Sequence, residues 1–438
     1  MIRDIEQTLT QWKKDNRRRP LLIRGARQVG KSYVVSQFGK REFKNFVEIN
    51  FELQPHFNNC FSSLEPDEIN QKISILTKQD IKAGETLLFF DEIQKCPPAI
   101  KSLRYYHEKT PHLHVIGAGS LLEFVLKSEK LEMPVGRIQY LYMNPLSFGE
   151  FLNAINESRL RQLLTNKKNL SKIDDTLHSH ALALLKKYYI IGGMPCVVDE
   201  YAATLDVIKC QHLQTSICQT YRDDFGKYAS HVKHKYLEKI FDAAPKMAGQ
   251  KFKYANVDKD TPSRELKEAL ELLERAGVVH KIKATSGDGL PLESGAKDKH
   301  FKTLFLDTGL MQNMCGLSGD IIQSQDLLDV HKGAVAEQFV GQELAVAFDP
   351  YTRPKLYYWL REAKNSSAEI DYLIAQGSRI VPLEVKSGPR GKLRSLTLFM
   401  DEYKSKKAVV ISQGKYKEQG NVVFLPLYGI ECLRHMDC

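Results

Sequence analysis

The short apolar run Leu21-Leu22-Ile23-Arg24 leads into Gly25-Ala26-Arg27-Gln28-Val29-Gly30-Lys31-Ser32, and the segment Tyr33–Phe38 behind it can open a helix. A strand, a loop of the form G-x-x-x-x-G-K-[ST] and a helix, in that order, tie this part of the chain to an α/β layout with an anion site at the turn. Glycines let such a loop close so that its backbone N–H groups face phosphate oxygens, and the dipole of the following helix adds to the attraction. The Lys31 ammonium is placed to meet β and γ oxygens, and the Ser32 hydroxyl to ligate magnesium. The spacing therefore predicts an ATP and Mg²⁺ site formed by Gly25, Ala26, Arg27, Gln28, Val29, Gly30, Lys31 and Ser32.

A second signal stands downstream. Thr86 to Phe90 reads as a buried strand and ends in Asp91-Glu92. Asp91 can share the magnesium with Ser32, while Glu92 is placed to polarise an attacking water, which distinguishes hydrolysis from binding alone. The next strand-like run, HLHVIG, ends in Ala118-Gly119-Ser120, where the Ser120 hydroxyl could sense the γ-phosphate. Arg137 could bring positive charge to the transition state, in its own subunit or a neighbouring one; a surface salt bridge is the equal alternative. The expected catalytic set is Glu92, Lys31 and Arg137.

Around these motifs the chain alternates LLIR, FVEINF, TLLFFD and HLHVIG with amphipathic stretches, the pattern of βα units and a parallel, buried sheet. From Pro145 to about Tyr228 helical periodicity takes over, with a break expected at Gly226. Leu266, Leu270 and Leu273 then share a helix face before VVHKI, and SGDGLPLESGAKDKH would be a wing or a loop, so this segment suits a winged helix-turn-helix. Beyond Phe301 strands and helices interleave again. With 438 residues the chain exceeds the roughly 250 to 300 residues one core supports, so several domains are expected. They are an α/β ATPase core over 1–147, a helical lid over 148–230, the winged segment over 231–300 and a second α/β domain over 301–438.

In the last domain EIDYLIA and IVPLEVKS are joined by Gln376-Gly377-Ser378-Arg379, a hairpin turn. Glu384 and Lys386, two apart, face the same way on a strand, and the hairpin can bring Asp371 beside them. Two carboxylates and a lysine in that arrangement suit Mg²⁺-assisted phosphodiester hydrolysis, although a solvated strand face gives the same short pattern. The cluster resembles the restriction-endonuclease-like fold, and that resemblance implies a further glutamate on a preceding helix, the position taken here by Glu337.

The chain as a whole resembles the prokaryotic AAA-type ATPases that carry a C-terminal domain of unknown function. The resemblance rests on RGARQVGKS, LLFFDEIQ, VIGAGS, GRIQYLYMNPLSFGEFL, IGGMP and FLDTGL, in the family's order. In related signal-transducing ATPases a Gly-x-Pro turn lies against the adenine, which implies that role for Gly193 and Pro195; a helix-breaking hinge is the local alternative.

The net charge of +10 favours anionic partners, and the basic residues cluster at Lys13 to Arg19 and at Arg390 to Arg394. No apolar run is long enough to cross a bilayer, and the N-terminal stretch has no apolar signal region, so a cytoplasmic protein is expected. The eight cysteines are scattered without C-x-x-C spacing and read as reduced thiols, and the thirteen histidines show no paired ligand spacing. Two accounts follow. In the first, ATP hydrolysis drives a DNA-directed machine with a nuclease-like domain. In the second, ATP and ADP states present different surfaces to a protein partner and the C-terminal domain is catalytically silent. The sequence leaves the oligomeric state open.

Overall fold

A computed structural model describes residues 1–119, 136–228, 231–316, 333–363, 366–386 and 393–436. The backbone divides into two compact units, one formed by residues 1–144 with 349–353 and the other by 145–348 with 354–438.

The first unit is organised by five strands, β1 (Leu21–Arg24), β2 (Asn45–Asn50), β3 (Thr86–Asp91), β4 (His114–Ala118) and β5 (Gln139–Tyr142). They form one sheet in the order β2-β3-β4-β1-β5, with every pairing parallel. Helices α1 (Ile5–Lys14), α2 (Lys31–Glu42), α3 (Pro66–Thr77) and α4 (Pro97–Lys109) accompany it. Every residue of β3 is buried, which explains its unbroken apolar run: a parallel strand is covered on both faces. Val47, Ile49, Leu88 and Phe90 pack with Ile100, Leu103 and Tyr106 of α4. Each such burial contributes about 1.5–3 kcal/mol. The four anticipated strands form. The sequence reading missed β5, because Gln139-Tyr140-Leu141-Tyr142 alternates too weakly to stand out; pairing with β1 makes it a strand. A segment far along the chain also joins this unit, with Tyr142 N donating to Pro350 O at 2.7 Å.

This order places β4 between β1 and β3, so the loop after β1, the acidic end of β3 and the end of β4 lie side by side at the carboxyl edge. Open parallel sheets hold their ligands at that edge.

The second unit begins with helices. Ser147 and Glu150 form a capping box on the helix Phe148–Ala154. Longer helices follow at Asp175–Ile191, Pro195–Thr204 and Val207–Tyr228. The break expected at Gly226 does not occur, because Gly226 lies inside the last of these. A glycine costs a helix about 1 kcal/mol. Tyr221 and Phe225, packed on Phe241 of the helix His231–Ala243, outweigh it.

An eight-stranded mixed sheet completes this unit: β6 (Val279–Thr285), β7 (Ala296–Phe305), β8 (Leu356–Ala363), β9 (Ser366–Gln376), β10 (Arg379–Val385), β11 (Ala408–Ser412), β12 (Lys417–Gln419) and β13 (Val422–Pro426), in the order β12-β13-β11-β10-β9-β8-β6-β7. The helix Ser263–Arg275 is followed by the β6–β7 hairpin, the expected succession for a wing. The hairpin is not free-standing, however. β6 pairs in parallel with β8 from Ile282↔Leu356 to Thr285↔Trp359, so the hairpin is the rim of the large sheet and the expected 300/301 boundary falls within β7. Val279, Ile282 and Ala284 are buried, and the sequence alternation of a wing is the same as that of an edge hairpin. Trp359, Ile370, Leu373 and Val410 pack with Leu396 and Phe399 of the helix Arg394–Tyr403.

Candidate functional site

Between β1 and α2 the backbone makes conformations that few residues tolerate: φ is +147° at Gly25, +65° at Gln28 and +90° at Gly30. A Cβ at Gly25 would lie 2.2 Å from the Met143 carbonyl oxygen, so glycine is required there for space as well as for φ. The loop is pinned from outside by Arg3, whose guanidinium donates to Val29 O at 3.1 Å and Asn144 O at 2.8 Å. Lys31 opens α2, and its ammonium donates to the carbonyls of Gly25 (2.9 Å) and Ala26 (2.7 Å). Burial pushes the Lys31 pKa down to about 8, against the opposing charges of Glu92 and Asp91.

The Ser32 hydroxyl donates to Asp91 Oδ1 at 2.8 Å, which brings the loop and the end of β3 together. A hydroxyl and a carboxylate in contact form the oxygen donor pair that magnesium takes beside phosphate oxygens, so these residues fit the ion. Asn50, opposite Asp91 in the β2–β3 register, donates to Asp91 Oδ2 at 2.9 Å. Burial raises the Asp91 pKa, partly offset by the Ser32 hydrogen bond. Glu92 follows in a left-handed turn with φ of +47°, and Gln94 Nε2 donates to its carboxylate. Gln94 is itself buried against Gly119, where a Cβ would lie 2.0 Å from Gln94 Oε1. Asn50, Gln94 and Arg3 escaped the sequence reading. The signal for Asn50 was available, since a polar residue ends the strand-like run that precedes the acidic one.

Arg137 is half exposed and its Nε donates to Glu108 Oε1 at 2.8 Å, with Arg104 on the same carboxylate at 3.1 Å. Its observed partner is therefore the salt bridge named as the alternative. Ser120 lies outside the described residues.

Gly193 and Pro195 belong to the second unit. Gly193 N donates to Asp307 Oδ2 at 2.6 Å, and Gly193 O accepts from Leu146 N at 2.7 Å. A Cβ at Gly193 would lie 2.1 Å from Leu146 O, and one at Gly192, where φ is +72°, would lie 2.1 Å from Asp307 Oδ1. Pro195 occupies the first turn of its helix. IGGMP and FLDTGL are thus two halves of one contact, in which Asp307 also accepts from Leu310 N at 3.0 Å. The turn is tightly packed, with both backbone polar groups of Gly193 engaged.

The second charged constellation forms as the hairpin reading expects. Asp371 on β9 accepts from Val385 N at 2.8 Å, and Lys386 Nζ lies 2.5 Å from Glu384 Oε1. Glu337 on the helix Ala334–Ala347 joins them through a residue the sequence reading passed over, Lys302 on β7. Its ammonium lies 2.6 Å from Glu369 Oε1, 3.2 Å from Glu337 Oε2 and 3.8 Å from Asp371 Oδ1, on a side chain only 3% exposed. Lys251 approaches Glu369 from the other oxygen at 3.8 Å. Burial works to lower the Lys302 pKa, but the charges of Glu337, Asp371 and Glu369 outweigh it and raise it. Burial raises the carboxyl pKa values of Glu337, Asp371 and Glu384, and Asp371 adds like-charge repulsion to Glu337 and Glu384. Among the described residues no group of three or more His, Cys, Asp or Glu side chains is placed to hold a metal ion. The expected Mg²⁺ at Glu337, Asp371 and Glu384 does not fit these contacts, because a lysine ammonium stands among the oxygens.

Comparison with protein families matches residues 17–152 to an AAA domain, residues 182–320 to a domain of unknown function (DUF8612) and residues 332–430 to a domain of unknown function (DUF4143). The match over residues 17–152 covers the P-loop segment and all five strands of the first unit, so the AAA family and the phosphate-binding loop fall on the same part of the chain. No curated protein matches. Solved structures with some likeness include a Walker-type ATPase of Pyrococcus abyssi, at 16% identity and a TM-score of 0.46, covering 72% of this chain and 96% of that one. The Aeropyrum pernix ORC1 protein in complex with DNA aligns at 12% identity and a TM-score of 0.31, over 73% and 93% of the two chains. The Thermotoga maritima RuvB Holliday junction branch migration motor aligns at 17% identity and a TM-score of 0.29, over 63% and 88%. Among the described residues no helix is long and apolar enough to cross a membrane.

Proposed function

We propose that this chain is a magnesium-dependent ATPase working as a nucleotide switch, whose second unit presents a docking surface without hydrolytic chemistry of its own. The observation that carries the ATPase reading is the Ser32–Asp91 contact, with Glu92 next in the chain and its carboxylate held by Gln94. In this reading the backbone of Gly25 to Ser32 receives the phosphates, Lys31 exchanges its carbonyl partners for β and γ oxygens, and Ser32 and Asp91 hold Mg²⁺. The ion neutralises charge on the transferring phosphoryl group. Glu92 orients and polarises the water, and Gln94 positions Glu92.

Single-turnover and steady-state kinetics on Glu92→Gln test the assignment. ATP affinity should stay within a few-fold of wild type, while turnover falls by roughly 10²–10⁴-fold, the range general-base catalysis supplies. Normal turnover in that variant would remove Glu92 from the role.

A second reading, action on DNA, is supported by one feature of the second unit. A groove of about 310 Å³ is lined by Arg379, Lys404, Lys406 and Lys407, with Tyr403 and a single acid, Asp288. Four cations beside an aromatic ring suit a polyanion, and the overall charge of +10 agrees.

A further inference from the structure

The charged cluster of the second unit contains four carboxylates, Glu337, Glu369, Asp371 and Glu384, and three ammonium groups, Lys251, Lys302 and Lys386. Of the three lysines only Lys302 is deeply buried, at 3% side-chain exposure, whereas Lys251 and Lys386 are 46% and 25% exposed. Lys302 reaches the carboxylates from β7, past the ring of Tyr358 at 5.4 Å, and touches residues from both the helix Ala334–Ala347 and β9. Its position is fixed from both sides. Tyr372, next to Asp371, donates to the Glu337 carbonyl at 2.7 Å, and Gly341 leaves no room for a Cβ between Leu304 and Tyr372, so helix and sheet are held close.

One oxygen of this cluster is left over. Glu384 Oε2 is buried and has no hydrogen-bond partner among the described residues. A buried carboxylate oxygen without a partner is costly, and it marks a place where a cation could be received. The nearest fixed positive charges are lysines, and a divalent ion drawn to Glu337 and Asp371 would meet the Lys302 ammonium within the same few ångströms. Such an ion would have to displace Lys302 from the three carboxyl groups around it in a poorly solvated setting, leaving the ammonium buried without a partner.

We propose that the Lys302 ammonium is the resident cation of this cluster, standing where a divalent metal would otherwise sit, so that the carboxylates can form a metal site only when the Lys302 side chain is replaced by an uncharged one. The cluster then ties β7, the helix Ala334–Ala347 and β9 together and performs no metal-assisted hydrolysis.

The test uses the full chain carrying Asp91→Asn, which removes the carboxylate ligand of the nucleotide site, with no nucleotide present. The outcome is thereby independent of the ATPase reading. Mn²⁺ alone is titrated and its bound fraction followed by electron paramagnetic resonance, in this parent and with Asp371→Asn, Lys302→Met, or both added. The parent and the Asp371→Asn protein should bind Mn²⁺ equally. Lys302→Met, which keeps most of the stem volume, should gain Mn²⁺ affinity by tenfold or more, and Asp371→Asn should abolish the gain. Mn²⁺ bound by the parent and lost on Asp371→Asn would overturn the proposal, as would a folded Lys302→Met protein with no gain. If Lys302→Met does not fold, as judged by circular dichroism, the comparison of parent with Asp371→Asn decides alone.

Discussion

Lys31 illustrates how a single residue in this chain combines legible and illegible information. Its place in the loop could be read from G-x-x-x-x-G-K-S, because the spacing is itself the geometry. Its protonation could not, because the pKa of about 8 comes from the burial that the folded chain imposes on it. The consequence is a testable pH dependence. Phosphate oxygens stabilise the ammonium, so the ATP-bound state has the higher pKa and binding takes up a proton once the free protein begins to lose it. Affinity should therefore be flat below pH 8 and fall above it, by up to about tenfold per pH unit. Calorimetric titration of Mg·ATP at pH 7, 8, 9 and 10 checks this; an affinity unchanged across that range would show that Lys31 keeps its proton throughout. Glu92 and Asp91 were equally legible, since a strand ending in two acids is visible in the chain. Gln94, Asn50 and Lys302 were not, because each acquires its role from a neighbour that only the tertiary fold supplies.

Among elements, strands and helices whose runs are apolar and buried nearly all round were readable, as β3 and the helix Ala334–Ala347 demonstrate. Elements whose partners decide their fate were not: β5 needs β1, and the β6–β7 hairpin becomes part of a sheet only because β8 offers an edge. The helix Ala334–Ala347 also contains a charge that its pattern does not announce. Glu343 is buried and accepts from Phe148 N at 2.8 Å, supplying an acceptor to the first turn of the helix Phe148–Ala154. Burial raises its pKa from 4.5 to about 8, against the hydrogen bond from Phe148. The folded state therefore holds the proton more tightly than the unfolded one. This stability is fully present below pH 4.5 and is lost as pH rises through about 8. Glu343→Gln keeps the acceptor and abolishes the titration, so its stability relative to wild type should increase with pH across that window. The steepest change is about 1.4 kcal/mol per pH unit. Urea unfolding of both proteins at pH 5, 6, 7 and 8 measures the difference, and parallel curves would mean that Glu343 stays charged in the fold.

For the whole molecule the question is whether nucleotide state is read out by a protein partner or by DNA. The two readings share the ATP site and diverge in the second unit, where Asp371, Glu384 and Lys386 stand out in the sequence, but Lys302, which contacts the same cluster, lies on a strand some seventy residues earlier. Under the switch reading, Mg·ATP and Mg·ADP should give different limited-proteolysis patterns without DNA, and Lys31→Ala should show one pattern with either nucleotide. Added duplex DNA should leave ATP turnover unchanged. If DNA instead raises turnover, the groove at Arg379, Lys404, Lys406 and Lys407 is the surface to reverse. Phosphate contacts release counterions, so a stimulation that passes through this groove would weaken steeply with salt and disappear in Lys404→Glu/Lys406→Glu, while basal turnover persists. That result would move the function to DNA with the eight-stranded sheet serving as a binding platform. Stimulation insensitive to both salt and charge reversal would exclude the groove, whereas different ATP and ADP digests with turnover indifferent to DNA would support a protein partner reading the nucleotide state.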